Sequence, residues 1–125
     1  MAGLTLDVIK AYCLAKPGSS GGYPFGEGTL VVKVLDRMFV LCSEDEQPLR
    51  INLKCDPDDA LALRAQYSAI IPGYHMNKRH WNSLIMDGSL PENLVFELID
   101  HSYHLVISKM SQAKRRKLRA IEKSS

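Results

Sequence analysis

Hydrophobic residues recur along this chain with two different periods, and each change of period predicts the end of one element and the start of another. Over residues 5–15 the apolar positions fall three and four apart, which predicts a helix with Thr5 as its N-cap. Pro17-Gly18 ends this helix. We interpret the following Ser19-Ser20-Gly21-Gly22 as a flexible turn.

The next part of the chain has the composition of strands. Residues 29–35 and 38–43 are both rich in β-branched and other apolar residues. The pair between them, Asp36-Arg37, is the right length for a tight hairpin turn. We therefore predict two antiparallel neighbours here.

A third strand, residues 49–55, has the most regular pattern in the chain. Arg50, Asn52 and Lys54 alternate with apolar residues. Because successive side chains of a strand point to opposite faces, we expect these three to form a polar row on the face away from the core.

Two further helices are predicted from their first residues. Asp56 as N-cap and Pro57 at the first helical position begin one of them. Ser89 and Glu92 form a capping box, which predicts a helix running to about Met110.

The order of these elements predicts the fold class. Short strands are expected at 70–73 and 82–86, between the second and third helices. The order is then α-β-β-β(-β)-α-β-β-α, which is typical of an α+β, two-layer domain with an antiparallel sheet packed by helices. We assign residues 1–110 to one domain and residues 111–125 to a basic tail that is either a short helix or disordered.

Composition favours a soluble, cytoplasmic protein, which we expect to be a monomer. The chain has 125 residues, of which 46% are hydrophobic, enough for one core. No apolar run is long enough to cross a membrane, and the first residues lack the features of a secretory signal. Cys13, Cys42 and Cys55 are too widely spaced for a CxxC metal site, and we interpret them as buried thiols.

Charge is distributed unevenly along the chain. Residues 109–125 contain seven cations and one acid, whereas residues 1–108 contain nine cations and thirteen acids. The body is therefore mildly acidic and the tail strongly basic. A polyanionic partner is consequently expected only at a local basic cluster or at the tail.

Polar and aromatic residues are concentrated in one stretch, residues 72–82. It contains the only Trp of the chain, two of its four His (His75 and His80) and the adjacent cations Lys78 and Arg79. A lone Trp beside a strand is more often a core residue than a ligand contact, so we expect Trp81 to anchor this stretch.

Five segments of the chain carry a recognisable pattern: residues 13–18, Tyr23-Pro24-Phe25-Gly26, residues 49–57, residues 72–82 and Asp87-Gly88-Ser89-Leu90-Pro91. Together they resemble the MmcQ/YjbR family of small bacterial proteins, over residues 5–110. The resemblance implies a compact α+β domain similar to frataxin-like and secretion-chaperone-like folds. It also implies DNA binding, since family members are usually described as DNA-binding proteins.

Nucleic-acid binding is the leading functional hypothesis. We expect weak contacts with the phosphates of duplex DNA and little choice of sequence. The predicted nucleic-acid-binding residues are Arg50, Asn52, Lys54, Asn77, Lys78, Arg79 and His80.

Three other functions are alternatives to nucleic-acid binding. A protein- or peptide-binding module, adaptor- or chaperone-like, would use an exposed sheet edge near Tyr23-Pro24-Phe25. His101 and His104 lie three apart on the predicted third helix, but such pairs are more often surface residues than metal ligands. No GxSxG, P-loop or paired nucleophile and base is present, so we expect no enzymatic activity and no cofactor or metal.

Overall fold

A computed structural model of the chain describes residues 4–74 and 76–124. The α+β class is confirmed. Of the three or four strands predicted before the second helix, the chain has four, and a fourth helix follows the third. The helices are α1 (Leu6–Leu14), α2 (Pro57–Gln66), α3 (Glu92–Ser108) and α4 (Gln112–Ser124). The strands are β1 (Ser19–Gly22), β2 (Thr29–Val34), β3 (Arg37–Ser43), β4 (Arg50–Lys54), β5 (Ile70–Pro72) and β6 (Trp81–Ile85).

The strands form one antiparallel sheet in the order β1-β2-β3-β4-β6-β5. Helix α3 packs across β2, β3 and β4, and α1 packs on β1. The strand residues beneath the helices, such as Val32, Val40 and Leu53, are almost fully buried. We call the opposite side the outer face; its strand residues include Thr29, Leu41, Arg50, Asn52 and Ser83.

Two helix starts were predicted correctly because they depend on neighbouring residues alone. The Thr5 hydroxyl accepts a hydrogen bond from the Val8 backbone N–H at 3.3 Å. The Asp56 carboxylate accepts hydrogen bonds from the N–H groups of Asp58 and Asp59 at 3.0 and 3.4 Å. These side chains satisfy backbone donors that the first helical turn leaves without partners.

The capping box predicted for α3 was wrong. The helix begins at Glu92, with Pro91 as N-cap and no side-chain hydrogen bond at the cap. The Ser89 hydroxyl instead donates to the Asp87 carboxylate at 2.6 Å. Asp87 competes successfully because it is two residues away, within the turn that Gly88 makes with a φ of 90°.

Two predictions in the first part of the sheet also needed correction. Ser19–Gly22, interpreted as a flexible turn, forms β1 and pairs with β2. The hairpin turn between β2 and β3 is Leu35-Asp36 instead of Asp36-Arg37, because Val34 pairs with Arg37. Leu35 has a φ of 54°, as a two-residue hairpin turn requires.

Residues 112–124 of the basic tail form helix α4, which docks on the domain through the buried side chain of Leu118. Leu118 is only 3% exposed. Its Cδ1 atom lies 2.5 Å from the position that a Cβ atom would take on Gly18, so the absence of a side chain there permits close packing. At the start of α4, the Lys114 ammonium contacts the Asp36 carboxylate at 2.7 Å.

The three cysteines are buried free thiols, as predicted. Burial raises the pKa of Cys13 and Cys42 to about 12 and that of Cys55 to about 11. Such thiols stay protonated at neutral pH and are poor nucleophiles. No helix in the part of the chain described is long and apolar enough to span a bilayer.

Candidate functional site

The polar row on β4 does lie on the outer face, but its central residue is not presented to solvent. Asn52 is only 2% exposed, so the expectation of an accessible amide was wrong. The loop between β5 and β6, described at residues 73–74 and 76–80 and called the loop 73–80 below, folds over β4 and β6 and covers Asn52. The Tyr74 backbone N–H donates to Ser83 Oγ at 2.9 Å, and the Ser83 hydroxyl donates to Asn52 Oδ1. Asn52 therefore supports the covering loop.

Arg50 is also occupied within the protein. Its Nη2 donates to Glu46 Oε1 at 2.8 Å. The Tyr74 ring lies over the guanidinium, with 4.3 Å between the ring centroid and Cζ, and the Arg50 side chain is only 15% exposed. A phosphate could reach this cation only by displacing Glu46.

The loop 73–80 is held from below by a residue that the sequence did not indicate. Arg64 of α2 donates from Nε to Asn82 Oδ1 at 2.7 Å. Its Nη2 donates to the backbone carbonyls of Lys78 and Trp81. Trp81 itself is 8% exposed, as expected of an anchor. Nothing local in the sequence identifies Arg64, because its partners lie at least fourteen residues away.

Three residues of the loop face solvent, in agreement with the part of the prediction that placed them there. Asn77, Lys78 and Arg79 are exposed, and His80 is half-buried. However, Asn77 Oδ1 accepts from the N–H groups of Arg79 and His80, and the Lys78 ammonium donates to the Gly73 carbonyl at 3.3 Å. Much of this polar chemistry therefore stabilises the loop.

Lys54 lies at the end of β4 nearest to this loop, because it pairs with Trp81. It is half-buried, and the acids Asp58 and Asp59 follow closely at the exposed start of α2. Arg50 is occupied by Glu46, and Lys54 is followed by acids in the chain.

The histidines considered as metal ligands have other partners. His101 Nε2 accepts from the Asp56 backbone N–H at 3.3 Å, and His104 Nδ1 lies 2.8 Å from the Asp100 carbonyl oxygen. His75 lies outside the described residues. Within those residues, no three His, Cys, Asp or Glu side chains are grouped to hold a metal ion.

Helix α4 presents a basic surface. It carries six cations and one acid, Glu122. Arg115, Arg116 and Arg119 line a shallow surface depression of about 380 Å³. Helical spacing places Lys123 on the same side as Arg116 and Arg119, since residues three and four apart are neighbours. We call Arg115, Arg116, Arg119 and Lys123 the α4 stripe.

A larger concavity lies on the outer face. It has a volume of about 590 Å³. Side chains from three of the five family-like segments line it: Phe25, the pair Arg50 and Asn52, and the pair Tyr74 and Met76. Sequence analysis did not predict this concavity. Its aromatic lining residues, Phe25 and Tyr74, belong to two family-like segments that lie far apart in the sequence.

Comparisons with known proteins agree with the resemblance. The YjbR family model matches residues 14–105. An uncharacterised protein YjbR of Escherichia coli is 34% identical over 92% of this chain and 98% of its own length. An uncharacterised protein YyaQ of Bacillus subtilis is 38% identical over 82% of this chain and 98% of its own length. A crystal structure of a Deinococcus radiodurans protein is 40% identical, covers 91% of this chain and 87% of its own, and superposes with a TM-score of 0.86.

Proposed function

The chain belongs to the YjbR family, and from that premise we propose that it binds duplex DNA weakly and without sequence choice, mainly through helix α4. The observation that carries this proposal is the α4 stripe on an ordered, docked helix. Four cations at helical spacing can approach adjacent phosphates together, and the release of condensed counterions then favours association. Leu118 holds the helix against the domain.

The loop 73–80 has a secondary role in this proposal. Arg79 is exposed, and the Lys78 ammonium donates to a backbone carbonyl near the surface. Together these two cations would add about one phosphate contact or less to those of α4. The buried Asn52 and the paired Arg50 do not belong to the proposed DNA surface.

The proposal predicts a steep dependence of affinity on salt. With about four phosphates neutralised, the logarithm of the association constant should fall with the logarithm of the salt concentration with a slope of about −3.6. Fluorescence anisotropy of a labelled duplex, titrated at several salt concentrations, measures this slope. A shuffled duplex of the same length and composition should give the same affinity.

Charge reversal identifies the surface. Arg116→Glu with Arg119→Glu should abolish measurable binding at moderate salt. The control, Lys33→Glu with Arg37→Glu, reverses two exposed cations on β2 and β3 and should change little. Binding that is insensitive to the α4 pair would overturn the assignment of this surface.

A second candidate function, peptide binding by strand addition, is supported by a different observation. Strand β1 is one edge of the sheet and consists of Ser and Gly only. Such an edge lacks the charges and prolines that usually block pairing with another strand. A peptide bound there should protect the outward amides of β1 from hydrogen exchange. Protection elsewhere, with β1 unchanged, would argue against it.

A further inference from the structure

The concavity on the outer face has the features of a small-molecule site. Its volume of about 590 Å³ lies within the usual range for such pockets. Apolar side chains dominate one side: Phe25, Met38, Leu41, Tyr74 and Met76. Phe25 is 71% exposed and adjoins the other apolar side chains of this lining, so together they form a contiguous apolar surface that a ligand could cover.

Among the described residues that line it, Arg50 is the sole cation, and its guanidinium is incompletely used. Glu46 contacts Nη2 through one oxygen, at 2.8 Å. The Arg50 Nε–H is buried and has no hydrogen-bond partner among the described residues. Because Nε and Nη2 lie on the same edge of the guanidinium, a carboxylate placed side-on could accept from both.

Glu46 is positioned to give way. Its side chain is 51% exposed, and it lies in the loop between β3 and β4. An ion pair with so much solvent contact contributes little to stability. The Tyr74 ring over the guanidinium would meanwhile keep Arg50 in place.

We propose that this concavity binds a small monocarboxylate with an apolar body. The ligand carboxylate replaces Glu46 on the Nε and Nη2 edge of Arg50, and the apolar body lies against Phe25, Tyr74 and Met76. Asp45 and Glu46 also line the concavity, so a dianion such as phosphate is disfavoured by repulsion. This site is therefore distinct in charge and location from the α4 stripe.

The ligand carboxylate could belong to a small free acid or to the C-terminus of a peptide, and the two sets of probes distinguish these sources. Calorimetric titrations would use 3-phenylpropionate, indole-3-propionate and octanoate, each beside its primary amide. A second arm would use the tripeptide Ala-Ala-Phe with a free and with an amidated C-terminus. We expect the acids to bind and the amides to bind at least about tenfold more weakly. Binding by the free-C-terminus peptide alone would also support the site and would assign the source.

Two variants should change the affinity for the acids in opposite directions. Arg50→Met should lower affinity for the acids at least about tenfold. Glu46→Gln should raise it several-fold, because the competing internal carboxylate is removed. Glu97→Gln, an exposed change on α3, is the matched control and should have no effect. If Arg50→Met does not fold, Glu46→Gln still decides the question.

Three results would overturn the proposal. They are equal binding of acids and amides, unchanged or weaker binding in Glu46→Gln, and no binding of either the small acids or the free-C-terminus peptide at about 10 mM. Inorganic phosphate binding as tightly as the acids would likewise contradict the charge argument. Charge reversal of the α4 stripe should leave acid binding intact, which separates this site from DNA binding.

Discussion

The loop 73–80 and helix α4 contain similar cations, yet the two regions use them differently. In the loop, Lys78 donates to the Gly73 carbonyl, and Arg64 donates to two more carbonyls from below. On α4, most backbone carbonyls already have helical partners. Lys114 contacts Asp36, but Arg116, Lys117 and Arg119 are exposed. An irregular loop leaves backbone acceptors for cations to satisfy, whereas a helix does so only at its end. The number of cations in a segment therefore does not predict how many are available to a partner.

The largest expected effect separates a cation that supports the loop from one on α4. Arg64→Ala should lower the free energy of unfolding by about 3 kcal/mol, because it removes hydrogen bonds to three acceptors, including one on the buried Asn82. Arg116→Ala, also an arginine on a helix but exposed, should stay within about 0.5 kcal/mol of the wild type. Urea unfolding measures both. Similar losses in the two variants would remove the distinction between the regions.

The docking of α4 is the next test. Leu118→Ala should cost about 2 to 3 kcal/mol, because it removes the one fully buried apolar contact of the helix and leaves a cavity near Gly18. Leu61→Ala, at a position on α2 that is 63% exposed, is the matched control and should cost much less. If Leu118→Ala matched Leu61→Ala in the same urea titrations, α4 would not be docked as described.

Asn52 tests whether a polar residue beneath the loop supports the fold or contacts DNA. Asn52→Ala should destabilise the fold by about 1 to 2 kcal/mol, since Ser83 loses its acceptor beneath the loop. DNA affinity should not change, because the amide is buried. Asn93→Ala, an exposed change in the first turn of α3, should alter neither quantity. Reduced DNA affinity in a stably folded Asn52→Ala protein would restore Asn52 to the interface.

The smallest expected effect concerns the contact between Lys114 and Asp36. The hydrogen bond from Lys114 lowers the pKa of Asp36 below its ordinary value of 3.8. A carboxyl group whose pKa is lowered on folding adds stability above its unfolded pKa, and this contribution is lost as pH falls through the folded value. Asp36→Asn should therefore be slightly less stable than the wild type at pH 7 and equal to it near pH 2. A difference that persists at low pH would contradict this assignment.

Much of the fold followed from the sequence because its signals were local. Thr5 and Asp56 cap their helices through donors two or three residues away. The capping box predicted at Ser89 was wrong for a reason that is also local, since Asp87 is a nearer partner for the Ser89 hydroxyl. Strand β1 was missed because Ser and Gly carry no strand pattern, and its pairing comes from β2.

The candidate sites depended on contacts that the sequence does not encode locally. Asn52 is buried by a loop that begins about twenty residues later in the chain. Ser83 of β6 links the two, because it accepts from the Tyr74 N–H and donates to Asn52. Arg50 is covered by Tyr74. The concavity on the outer face exists only because β2, β3, β4 and three loops meet there. Alternation predicted which face these side chains take, but it could not predict that a loop covers part of that face.

We propose that α4, more than the loop, carries the charge available to DNA. The most direct test measures the salt slope of duplex binding for two neutralised pairs, Arg116→Gln with Arg119→Gln and Lys78→Gln with Arg79→Gln. We expect the α4 pair to reduce the magnitude of the slope by about 2 and the loop pair by about 1 or less. A larger reduction from the loop pair, or no reduction from the α4 pair, would contradict the account.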